Sequence, residues 1–117
     1  MRQRVYICSP YAGTAEQQKR NSTLAAGYCR AATLAGYSPI APHIYYPQFL
    51  DDDAPDERNV GLQLGIEALD TCTELWVVGE TLSAGMVEEI RLAKQKNMKI
   101  RYFTTKMEEK KNGYYEN

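Results

Sequence analysis

The chain has 117 residues, with 14 Lys and Arg against 15 Asp and Glu and a net charge of -1. That is the size of one ordinary domain, able to bury a core without metals or disulfides. The even charge, with neither a basic stripe nor an acidic block, argues against a nucleic-acid partner; the apolar runs are too short to span a bilayer, and the opening MRQRVYICSP lacks the pattern of a signal peptide, so a cytoplasmic protein with no membrane partner is expected.

In chain order, RVYICS (4–9) is β-rich and apolar, and PYAG ends it with turn residues. A long helix is predicted from about Ala15 to Ala35, where Leu24, Ala25, Tyr28, Ala31, Ala32 and Ala35 recur at helical spacing. GYSP stops it and SPIAP reads as a short strand. HIYYPQFLDDDAPDER reads as a loop containing a carboxylate run. A helix is predicted over about 57–70, with Val60, Leu64 and Leu69 on its faces. ELWVVG (74–79) is a continuous apolar run, as in a strand covered on both sides. ETLSAGMVEEIRLA (80–93) supplies a third helix and MKIRYF (98–103) a last strand. TTKMEEKKNGYYEN reads as a frayed helix or loose tail, which divides the chain into a domain over 1–104 and a polar C-terminal tail over 105–117.

Cys8, Cys29 and Cys72 are scattered and odd in number, and read as small buried residues. With His43 the one histidine and no paired cysteines, no metal site is expected. Trp76 lies within a strand and reads as core.

Strands alternating with helices imply an α/β fold, its parallel strands joined by right-handed crossovers. Ligands in such sheets bind at the carboxyl ends of the strands, where strand order reverses. Two strand ends stand out, ICSPYAG and VVGETLSAG, each carrying Ser, Gly and a following helix start.

The third helix carries adjacent glutamates. At about 100° per residue, Met86, Val87, Ile90 and Ala93 form one apolar stripe. Glu88 falls opposite it and can pair with Arg91, as a solvated residue does. Glu89 falls at the edge of the stripe, beyond the first turn where the helix dipole favours an acid. A partly desolvated carboxylate with no obvious basic partner is costly and marks a functional candidate, the alternative being a hydrogen-bonded structural glutamate. Ser83 suits the N-cap. Gly85 exposes backbone N–H groups, so the two could hold a phosphate or simply cap the helix.

RVYICSPYAG, then LSAGMVEEIRLA after an apolar strand, resembles the nucleoside 2-deoxyribosyltransferase superfamily, which includes the 2'-deoxynucleoside 5'-phosphate N-hydrolases. APHIYYPQFLDD and ELWVVGETLSAGMVEEI are most similar to its branch of small bacterial and phage proteins, and the likeness covers about residues 3–102. The resemblance implies a flavodoxin-like three-layer sandwich around a small, mainly parallel sheet of four to five strands. It implies that Glu89 attacks the anomeric carbon of a sugar and that Tyr6 orients it. It further implies that Ser83 contacts a 5'-phosphate, that Ser9 and Gly13 line the pocket, and that no cofactor is needed. Tyr11 and His43, with Tyr45 and Tyr46, are aromatics that could stack on a base or pack as a lid or subunit contact.

The superfamily's proton donor to the leaving base, an Asp on the second helix, aligns with Gly65 here; Glu67 and Asp70 lie nearby without a clean match, and Asp51 to Asp53 of the preceding loop could substitute. The expected function is cleavage of the N-glycosidic bond of a small-molecule nucleotide or nucleoside, as hydrolase or transferase, in a homo-oligomer. The alternatives are a catalytically silent nucleotide-binding or sensing module and a structural accessory protein.

Overall fold

The structure, a computed structural model, describes residues 1–111. Strand β1 (Arg4–Cys8) leads into helix α1 (Ala15–Leu34), strand β2 (Ser38–Ile40), a single-turn helix α2 (Pro42–Tyr45) and a 3-10 turn (Tyr46–Gln48). Helix α3 (Pro55–Asp70), strand β3 (Glu74–Val78), helix α4 (Ala84–Gln95), strand β4 (Lys99–Phe103) and the short strand β5 (Glu109–Lys110) complete it. The five strands form one sheet in the order β2-β1-β3-β4-β5, parallel except for the antiparallel β4–β5 pair. This is the flavodoxin-like order, and strand order reverses between β1 and β3.

Side-chain alternation sorts the two faces of the sheet. Val5, Ile7, Trp76 and Val78 pack against Ala25, Tyr28 and Ala32 of α1. Tyr6, Cys8, Leu75 and Val77 pack against Leu69 of α3 and Met86, Ile90 and Ala93 of α4. The result is three layers, with β1 and β3 buried on both sides; β3 is buried at all five positions. Each such Val, Leu or Ile contributes about 1.5–3 kcal/mol by leaving water.

Local chemistry sets the helix starts. Thr14 caps α1 in a capping box: its Oγ1 accepts from the Gln17 N–H at 3.1 Å, and Gln17 Oε1 accepts from the Thr14 N–H at 2.8 Å. That fold-back requires Gly13, whose φ is 146° and where a Cβ would meet Gln17 Oε1 at 2.3 Å. Pro55 occupies the first turn of α3, with Asp56 and Glu57 favourably placed near the helix start. Ser83 caps α4, its Oγ accepting from the Met86 N–H at 3.3 Å.

Three features differ from the sequence reading. The segment read as a loop from His43 forms α2 with Pro42 in its first turn, and α3 begins at Pro55 instead of Glu57. Glu109–Lys110, within the stretch read as frayed helix or loose tail, pairs with Tyr102 and Phe103, because Arg101 holds Glu109 at 3.0 and 2.7 Å. Residues 112–117 of that tail lie outside the described residues. Leu24, Val60 and Val87, placed on apolar helix stripes, are exposed. Periodicity marks a stripe, but the width of the layer beneath decides how much of it is covered. Among the described residues, no helix is long and apolar enough to cross a membrane.

Candidate active site

Tyr6 points from the middle of β1 toward α4, on the face opposite α1. Glu89, one and a half turns into α4, meets it: the Tyr6 hydroxyl donates to Glu89 Oε2 at 2.5 Å. The adjacent Glu88 turns outward and is gripped by Arg91 Nε at 2.8 Å and Nη2 at 2.5 Å, as the helical wheel required. The two glutamates therefore differ in environment by one helical step. Glu88 is held below the usual carboxylate range by the Arg91 hydrogen bond and charge. Glu89 is raised above it by burial, against the opposing pull of hydrogen bonds from Tyr6 and Cys8.

Tyr6 is 3 % exposed. Burial, then the Glu89 charge and their mutual hydrogen bond, push its phenol well up, so the hydroxyl keeps its proton and stays the donor. Cys8 is two residues along the same strand and therefore on the same face. Its thiol is also pushed well up by burial and by Glu89, and its Sγ lies 3.8 Å from the Met86 carbonyl oxygen. The sequence reading gave Cys8 no role beyond packing. The signal was its i, i+2 relation to Tyr6.

Tyr6 and Glu89 open into a cavity of about 660 Å³. Its wall includes Tyr6, Tyr11, Gly13, Gly85 and Glu89 from the residues singled out in the sequence, together with Tyr46. It lies beside the β1–β3 reversal point, where an α/β sheet places a ligand. Its volume is in the range of small-molecule sites. Helix α3 faces the cavity with glycines one turn apart, Gly61 and Gly65. A Cβ at Gly61 would contact Leu50 at 3.5 Å, and one at Gly65 would stand 3.8 Å from the Tyr6 hydroxyl. The position at which the sequence resemblance expects an acid is thus beside the Tyr6–Glu89 pair, and it holds no side chain. Asp52, Asp53 and Arg58 stand on the cavity's rim, all exposed.

Ser9, Ser83 and His43 are not among the lining residues. Ser9 is buried and lies 3.2 Å from His43 Nε2. Burial lowers the His43 pKa to about 4, so the ring is neutral at physiological pH. The pair ties β1's end to α2 behind the cavity wall, and the His43 ring packs against Tyr11 at 5.8 Å. Ser83 is occupied as the α4 cap, while the next residues of that first turn, Ala84 and Gly85, carry N–H groups without an intrahelical partner. Tyr11 is held on the wall by Asn21 Nδ2, which donates to its carbonyl at 3.1 Å, and by its hydroxyl's 3.4 Å bond to Gln18 Oε1. Tyr45 is exposed and clusters with Tyr46 and Phe49 at ring separations of 5.2–5.9 Å. Among the described residues, no group of three or more His, Cys, Asp or Glu is arranged to hold a metal ion.

Chemically, the site offers a carboxylate kept partly from water, clamped by a neutral phenol, at the wall of a cavity that admits a small molecule. The fold matches that of a 2-deoxyribosyltransferase from the psychrotolerant bacterium Bacillus psychrosaccharolyticus with a TM-score of 0.65 at 16% identity, over 86% of this chain and 72% of that one. It matches a 2-deoxyribosyltransferase from Leishmania mexicana with a TM-score of 0.57 at 15% identity, over 87% of this chain and 64% of that one, so the chain spans less than two thirds of the second protein. No curated protein matches the chain in sequence. At these identities the likeness establishes a deoxyribosyltransferase-like fold. By its sequence match over residues 3–103, the chain belongs to the family described as Domain of unknown function (DUF7768).

Proposed function

We propose that the protein cleaves the N-glycosidic bond of a nucleoside or nucleotide, with Glu89 as nucleophile and Tyr6 as the residue that positions it. The observation that carries this reading is the 2.5 Å Tyr6–Glu89 hydrogen bond at the wall of the cavity. N-glycoside cleavage passes through an oxocarbenium-like state, which a nearby carboxylate stabilises and can capture at C1'. A carboxylate raised by burial is a better base and nucleophile than a solvated one, and the Tyr6 hydroxyl leaves one of its oxygens free to attack. The likeness in fold to two 2-deoxyribosyltransferases supports the same reaction class.

A 5'-phosphate would sit at the start of α4, on the Gly85 and Ala84 N–H groups and the Ser83 hydroxyl, whose hydrogen remains available to donate. Tyr11 and Gly13 would border the sugar or base, and Ser9 and His43 would hold that wall in place from behind. Water as acceptor makes the enzyme a hydrolase, and a second base makes it a transferase. Leu62 and Ile66, which line the cavity, and Val87 expose apolar surface on α3 and α4, which supports a homo-oligomer whose partner covers the cavity's edge.

Incubation with nucleosides and nucleotides, with and without a free acceptor base, tests the reading. Free base or exchanged nucleoside is expected from the wild type, and none from Glu89→Ala; equal turnover by that variant discards the proposal. Gly65, bare where the sequence resemblance expects an acid, favours a second reading, a nucleotide-binding module without turnover. Thermal stabilisation by a nucleotide with no release of base from any substrate would establish it.

A further inference from the structure

The cavity holds a nucleophile, but a neutral purine or pyrimidine also needs a proton to leave, and a carboxyl donates one near neutral pH only where burial keeps it protonated. Among the described residues, four carboxylates line the cavity: Asp52, Asp53, Glu88 and Glu89. Glu89 is the one among them that is not exposed, and the proposed attack needs it ionised. Glu88 has both oxygens on Arg91. The Tyr6 hydroxyl is committed to Glu89, and the Tyr11 hydroxyl to Gln18. Gly65, next to the reacting pair, has no side chain to offer, although a Cβ would fit there at ordinary contact distance. With Glu88 matched by Arg91, Asp52, Asp53 and Glu89 against Arg58 still make the lining anionic, and Tyr11 and Tyr46 bring aromatic rings to it. An anionic, aromatic cavity attracts a cationic ring and disfavours an anionic one.

Resting on the reading of Glu89 as nucleophile, we propose that the preferred substrate is an N-glycoside whose base is already cationic, a pyridinium of the N-glycosyl nicotinamide type. Cleavage of this bond needs no general acid. A Glu89 oxygen forms a bond to C1' while the C1'–N bond breaks, and its electron pair goes to the ring nitrogen, which cancels the positive charge. The base leaves neutral. Water then adds to C1', the C1'–O bond to Glu89 breaks, the carboxylate is restored, and one proton passes to solvent. Gly61 and Gly65 give the ring room along α3, and the acidic rim draws it in.

The test compares four glycosides with matched sugars: the ribosyl and 2'-deoxyribosyl N-glycosides of nicotinamide and of adenine. Release of free base is followed chromatographically and corrected for spontaneous hydrolysis. Nicotinamide release is expected to exceed adenine release in kcat/KM by about 10²-fold or more, since a general acid is worth that much to the neutral base, and to vanish in Glu89→Ala. Gly65→Asp, or Gly65→Glu should the first fold poorly, is expected to raise adenine release at least tenfold with no gain for nicotinamide. Adenine release by the wild type within tenfold of nicotinamide release, with both lost in Glu89→Ala, overturns this inference and leaves the proposed function standing. Folded Gly65 variants that gain nothing on adenine also overturn it. No base from any of the four overturns both.

Discussion

Among the described residues, two carboxylates are withdrawn from solvent, one on each face of the sheet, Glu74 buried and Glu89 partly so, and they are held in opposite ways. Glu74, on the α1 face, is 8 % exposed. It accepts from Trp76 Nε1 at 2.8 Å and from Arg101 Nη1 at 3.3 Å. Arg101 in turn lies against the Trp76 and Phe103 rings, 5.0 and 5.3 Å from their centroids, and clasps Glu109. Arg101 bridges the two carboxylates, and the result is a structural cluster that fastens β5 to the sheet. Glu89, on the other face, is met by one neutral donor, the Tyr6 hydroxyl, and an open cavity. A buried charge that is neutralised serves the fold. One left ionisable and only hydrogen-bonded costs stability, and such costs concentrate where chemistry is done.

Substitutions that exchange the two situations test this contrast. The largest effect is expected for Glu89→Gln, which should lower turnover by about 10³-fold or more, as loss of a nucleophile does. The same variant should melt higher than the wild type at pH 7–8. A carboxyl raised in the folded state adds stability that is complete below the ordinary carboxylate range and is lost as pH rises through the raised value, whereas glutamine never acquires the charge. A lower melting temperature at that pH would mean that Glu89 is structural after all.

Tyr6→Phe removes the hydroxyl and should cost about 10- to 100-fold in turnover, the worth of one hydrogen bond to a charged group. Because that bond lowers the Glu89 pKa, its loss should move the acid limb of the pH–rate profile to higher pH. A profile shifted the other way, or not at all, would break the assigned pairing. Glu74→Gln should do the reverse of Glu89→Gln, costing about 1–3 kcal/mol of stability through the unmatched Arg101 while turnover per folded molecule is kept.

A smaller effect belongs to His43. Its folded pKa of about 4 lies below the ordinary 6.5, so the unfolded chain takes up the proton first. Stability should fall as pH drops from 6.5 toward 4, by on the order of 1–3 kcal/mol over that window, and His43→Gln should flatten the slope. The smallest change is expected for Glu88→Gln, with the melting temperature and the kinetics both close to those of the wild type, because its ion pair with Arg91 is exposed. A kinetic loss there comparable to that of Glu89→Gln would erase the distinction between the neighbouring glutamates.

The distinction between Glu88 and Glu89 was legible in the sequence because it depends only on the 100° step of a helix and the stripe Met86, Ile90, Ala93, all three of them buried. The Ser83 cap was legible for the same local reason. The contact of Glu89 with Tyr6 spans 83 residues, and no spacing encodes it; it reached the sequence reading through family resemblance alone. Helix α2 escaped notice because four residues are too few to show a period. Pro42 in its first turn was the available clue.

By itself the sequence determined the alternation of strands and helices, the doubly covered β3, and the glutamate that turns inward. These follow from side-chain periods of 2 and 3.6 residues and from capping chemistry, which act over a few positions. Tertiary structure alone decided what the inward glutamate meets. The rotation of α3 exposes Leu62 and Ile66, buries Leu69 and turns Gly61 and Gly65 to the cavity. The same long-range packing withdraws Ser9 and His43 behind the wall and recruits Glu109 to the sheet edge. Such choices depend on how layers distant in sequence fill a shared volume, and close packing settles them only once all the layers are assembled.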